Sequence, residues 1–199
     1  MMRAWIIGIA VAGAVAPTLR AQPVRPPSWP SHALITVWLD VRRAPPGASA
    51  LVDRAIATWT QAAGGRFVLQ KAASPDAALV RMRFAQADGI YGETAPHVDR
   101  ATGAIASAEV LIAGVVSGDA LQQRIVIYLT ALHELGHALG LPHTDAFDDI
   151  MYSFRRPDDG ERYFGTYRRK LRSSEEVGTE RATGLSPGDL AALKALYDR

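Results

Sequence analysis

Three of the chain's five histidines fall within eleven residues, in the run HELGHALGLPH from His133 to His143. On a helix, side chains four residues apart share a face, so His133 and His137 present two imidazoles one turn apart. Gly140 then lets the chain reverse, because a residue without a side-chain carbon tolerates positive φ and closes a helix in the left-handed conformation. That turn returns His143 to the same point. The spacing predicts a helix that Gly140 can end, with the chain doubled back upon it. The apolar residues Leu121, Ile125, Val126, Leu129, Leu132 and Leu135 predict an almost fully buried helix, started by a capping Asp119.

The chain has 199 residues and no cysteine, which removes disulfides, thiolate ligands and thiol nucleophiles together. A metal must then sit on histidine and carboxylate. Three neutral imidazoles are the ligand set of a catalytic zinc, with a fourth position left for water. Zinc lowers the pKa of such a water to about 7 and polarises a carbonyl under attack. Glu134, next to the first histidine, is the residue to take the water proton and hand it to a leaving amine. From residue frequencies, the five specified positions coincide by chance on the order of once in a hundred thousand chains. A helix with two satisfied core histidines would leave Gly140 and His143 unexplained.

Upstream, residues 34–40 (LITVWLD) are β-branched and aromatic and end before ProProGly at 45–47, a strand followed by a turn. In residues 49–62, Leu51, Val52, Ala55, Ile56 and Trp59 recur at helical spacing. Residues 66–70, 79–84 and 105–113 read as further strands. The order predicts an α+β fold with a helix packed on a mixed sheet. Ser186, Pro187 and Asp189 open a last helix, whose stripe is Leu190, Leu193, Leu196 and Tyr197.

Residues 1–21 have the form of an export signal: Arg3, an uncharged run over 4–16, then small residues. The run is shorter than the roughly 20 apolar residues of a membrane span, so no stable membrane anchor is expected and the product is secreted or extracytoplasmic. Residues 22–32 carry four prolines and predict an extended linker, leaving 33–199 as the catalytic domain. The signal takes Arg3 and Arg20 with it. The remaining chain has as many basic as acidic residues, which argues against nucleic acid as an obligate partner.

HELGHALGLPH with Met151 eight residues past His143 resembles the metzincin zinc endopeptidases, and within them the matrixins, particularly short bacterial members. Thr144, IleMetTyr at 150–152, LeuSerProGlyAsp at 185–189 and the ALVDRAIATW run at 50–59 add to the likeness. The resemblance implies a zincin domain with a twisted mixed sheet, a long active-site helix, a methionine turn and a C-terminal helix. It implies zinc on His133, His137 and His143, Glu134 as base, Met151 beneath the site, and a monomer acting on a polypeptide substrate. It also implies that the strand near 107–113 borders the cleft and pairs with an extended peptide. Calcium is usual in the family, and no Asp-rich loop places it here. The family's blocking cysteine and second-zinc histidines are absent, and His32 and His97 read as surface residues. A secreted zinc-binding protein that recognises peptides without turnover is the competing class.

Residues 153–184 read as a long polar loop in which Arg155, Arg156, Arg162, Arg168, Arg169, Lys170 and Arg172 mingle with Tyr163, Phe164, Tyr167 and acidic residues. A solvated loop is favoured over contact with nucleic acid or an anionic surface. From where it starts, it also borders the pocket for the residue after the cleaved bond.

Overall fold

β-Branched and aromatic residues at 34–40 form β1 (Ala33–Asp40), and the helical spacing that follows forms α1 (Ala48–Ala63). The computed structural model describes residues 26–86 and 90–198, so the export signal lies outside the described residues. After α1 come β2 (Phe67–Lys71), β3 (Val80–Ala85), β4 (Gly92–Val98) and β5 (Ile105–Ala113). The helices α2 (Ala120–Ala138), α3 (Asp159–Lys170) and α4 (Pro187–Tyr197) complete an α+β fold.

The sheet order is β2-β1-β3-β5-β4, parallel throughout except for β4, which runs antiparallel to β5. One face is apolar. Ile35, Val37, Val80, Met82, Val110 and Ile112 alternate inward as the two-residue strand period requires, and α1 and α2 cover them. On the other face Arg81 and Glu109 sit in register and pair at 3.2 Å. Trp59, fully buried on α1, donates its Nε1–H to the Leu132 carbonyl at 2.8 Å and ties the two helices together. α2 is capped as expected, with the Asp119 carboxylate accepting from the Gln122 amide at 2.8 Å.

Four expectations need correction. β5 is not an edge, because β3 and β4 occupy both its sides. The cleft border is β4, whose sequence GETAPHV carries no apolar alternation. The stretch 153–184 is not a loop: it holds α3 and two short 3₁₀ turns, with Phe164 and Tyr167 buried against the body. Those two rings are therefore withdrawn from any surface contact, and Arg168 makes a two-pronged pair with Asp119 at 2.8 Å for each prong. The linker is docked at its end. Trp29 is only 4% exposed and donates to the Ala138 carbonyl at 2.8 Å, while Ser28 bridges to Ala104, so the fold begins before residue 33. Leu190 points to solvent, and the buried stripe of α4 is Leu193, Leu196 and Tyr197. Among the described residues no helix is long and apolar enough to cross a membrane.

Candidate metal centre

α2 carries His133 and His137 on one face, and the reversal after it delivers His143. Gly140 takes φ +94°, and the Pro27 carbonyl lies so close that a Cβ there would collide with it. Nε2 of His143 is 3.1 Å from Nε2 of His137 and 3.3 Å from that of His133. A carbonyl can only accept, so the contacts of His133 Nδ1 with Ile150 O (2.6 Å) and of His137 Nδ1 with Leu141 O (2.9 Å) place those rings' protons on Nδ1. Their Nε2 atoms then present bare lone pairs to one point. Burial lowers the basicity of both, bringing His133 down to about 4, which keeps them in the neutral form a metal requires.

Three converging lone pairs repel unless a cation lies between them. Tetrahedral zinc with Zn–N of about 2.0–2.1 Å separates its nitrogens by about 3.3 Å, the spacing found here. The donor set fits zinc. Among the described residues this is the one group of three His, Asp or Glu donors that converges.

Glu134 follows His133 on α2 and is 5% exposed. Burial pushes its carboxyl up to about 7, against the pull of a Thr94 hydroxyl whose oxygen lies 2.7 Å from Oε2 and 3.0 Å from the residue's own carbonyl. β4 also presses on it through Gly92, where a Cβ would come within 2.6 Å of Oε1. Thr94 and Gly92 were not legible as site residues because β4 itself was not.

Met151 lies 1% exposed beneath α2. Its sulfur packs on Gly136, where an added Cβ would collide with it. Gly136 had no assigned purpose in the sequence, and a glycine inside a helix costs about 1 kcal/mol against alanine, so its presence was the available signal. The turn is fastened from both sides. Thr144 N donates to Met151 O at 2.9 Å, and Asp189 accepts from the Ile150 amide at 2.8 Å and the Ser186 amide at 2.8 Å. The capping box of α4 thus doubles as an anchor for the methionine turn. Burial raises the Asp189 carboxyl above its ordinary value, opposed by the Ile150 and Ser186 amides.

An open apolar cavity of about 300 Å³ adjoins the histidines, lined by Leu129, Ile150, Phe154, Tyr163 and Phe164 and bordered by Gly92 at the start of β4. The lower wall is held by Asp159, 1% exposed, whose Oδ2 accepts from Tyr152 OH at 2.9 Å and from the amides of Arg155 and Arg156 at 2.8 and 3.0 Å. His32 and His97, both exposed, take no part in the site. The family model described as matrixin matches residues 44–164, more than half of the chain, a span that contains the three histidines, Glu134 and Met151. No curated protein matches the chain.

Proposed function

The chain belongs to the matrixin family, proteins of a zinc metalloprotease kind, and we propose that it is a secreted, monomeric endopeptidase hydrolysing peptide bonds in polypeptide substrates. In this reading His133, His137 and His143 hold the zinc and Glu134 is the general base. The observation that carries it is the meeting of three Nε2 atoms, 3.1 and 3.3 Å apart along two edges, beside a buried carboxylate.

A bound zinc ion supplies Lewis acidity to the scissile carbonyl and to the attacking water. The protein's own groups do the rest. Ile150 and Leu141 fix the two helical imidazoles through their Nδ1 protons, so the ligands arrive already oriented. Glu134, raised by burial into the neutral range, accepts a proton from the attacking water and returns it to the departing amine. Thr94 keeps that carboxylate in one position. The outer edge of β4 offers unpaired main-chain groups along which an extended peptide adds as a further strand.

The test is the zinc-loaded chain from residue 22 with a proteome-derived peptide pool, beside its Glu134→Ala variant. Internal cleavage by the first alone, with equal zinc content in both, is the expected result. Products trimmed only from chain ends would rule out an endopeptidase, and equal behaviour of the two proteins would favour a binder without turnover. Secretion is checked by finding the mature protein outside the cytoplasm with its N-terminus near Gln22.

A further inference from the structure

Two cavities meet at one aromatic wall. The pocket beside the histidines and a neighbouring basin of about 410 Å³, reached past Val115, Gln122, Val126 and Arg156, share Ile90, Tyr91 and Phe154. Tyr91 stands edge-on to Phe154, with centroids 5.9 Å apart at 88°, and to Phe164 of α3, at 5.0 Å and 78°. Phe164 is 4% exposed and fixed, whereas Tyr91 and Phe154 are 41% and 37% exposed. The wall is thus two solvent-facing rings hung on an anchored one. Tyr91 precedes edge strand β4 and Phe154 follows the methionine turn, so their contact joins the two rims of the cleft. The seat for Tyr91 is Gly160 on the first turn of α3, where a Cβ would come within 2.8 Å of the tyrosine hydroxyl oxygen.

We propose that Tyr91 is the size gate of the substrate pocket. With Phe154 and Phe164 it ends the pocket beyond one apolar side chain of leucine or phenylalanine length. Moved aside, it joins the pocket to the basin and admits longer apolar groups. The occupant is apolar because, among the described residues, no lysine or arginine lines the pocket, so an acidic side chain entering it would be desolvated without a partner. The inference rests on the peptidase reading only in taking the occupant to be a residue of a peptide.

The experiment uses the zinc-loaded protein and peptides differing only in the residue after the scissile bond: leucine, phenylalanine or biphenylalanine. A single methylene in an apolar pocket shifts discrimination about 10–200-fold. Wild type is therefore expected to favour phenylalanine over biphenylalanine by about tenfold or more in kcat/KM. Tyr91→Ala should lower that ratio by about tenfold. Gly160→Ala, which strengthens the helix while unseating Tyr91, should lower it too. Val115→Ala, in the basin and clear of the wall, should leave it unchanged. Thermal melts and zinc content check that each variant is folded. Wild-type ratios in both Tyr91→Ala and Gly160→Ala overturn the gate. The same ratios are measured as peptide affinities in a Glu134→Ala background. Absence of cleavage by wild type overturns the peptidase reading, while the affinity ratio decides the gate by itself.

Discussion

Gly136→Ala places two known effects in opposition. The substitution relieves a helix of its internal glycine, worth about 0.8–1 kcal/mol in stability. It also drives a methyl group into the Met151 sulfur and to within 3.3 Å of Trp59 Cζ2, both in fully packed surroundings. Overpacking of a core costs about 1–3 kcal/mol, so the net change is a loss between about zero and 2 kcal/mol. That single value is a weak test. Met151→Ala alone, at 1% exposure, should cost about 2–5 kcal/mol. In the double variant the added methyl meets no sulfur, the helix gain survives and only the milder approach to Trp59 remains. The double variant should therefore be more stable than the sum of the singles by the size of the collision, about 1–3 kcal/mol. Urea unfolding of all four proteins, with zinc and with chelator, measures the cycle. Additivity within about 0.3–0.5 kcal/mol would refute the claim that Gly136 is there to admit the methionine sulfur.

Trp29→Ala should lower stability by about 3–5 kcal/mol in urea unfolding, since it empties a buried site and frees the Ala138 carbonyl; a loss below about 1 kcal/mol would mean the segment is not part of the core. Thr94→Val removes the hydroxyl that holds Glu134 Oε2, and hydrogen bonds to charged groups are worth about 1.5–3 kcal/mol. The expected outcome is a fall in kcat of about tenfold or more with unchanged zinc content, and an unaltered kcat contradicts it. Arg168, with the Gln122 amide, holds the Asp119 carboxyl down at about 2 from its ordinary 3.8. A depressed folded-state value stabilises above the unfolded value and fades as pH falls through the folded one. The stability advantage of wild type over Asp119→Asn should thus be whole at about pH 5, shrink between about pH 4 and pH 2, and be gone below. A gap that does not vary with pH would exclude the ion pair as its source.

Helix α2 and its histidines were legible because both depend on rules local in sequence: four-residue spacing, a side-chain cap, and a glycine at the reversal. The α4 capping box was legible for the same reason. That Asp189 also receives the Ile150 amide was not, since a contact across 39 residues leaves no spacing to detect. β4 escaped notice because five of its seven residues are exposed and Pro96 breaks the ladder pattern, so it shows no alternation. Thr94 and Gly92 were lost with it. α3 was hidden by its polarity: Phe164 and Tyr167 are a short stripe among charged residues, and the helix is stabilised by what it packs on. Trp29 was concealed among prolines, a lone anchor with no periodicity around it.

The segment from Tyr152 to Lys170 is moored at both ends. Asp159 gathers the Tyr152 hydroxyl and two amides at one end, and Arg168 grips the start of α2 at the other. Neither mooring is one of the three histidines or Glu134. Between them Phe164 and Tyr167 are sunk in the core and Tyr163 donates to the Asp149 carbonyl at 2.9 Å, so the stretch divides into buried rings that hold it and exposed side chains that give the cleft its outline. Retargeting such a scaffold would begin by keeping the clasps and the buried rings and varying the exposed side chains around them.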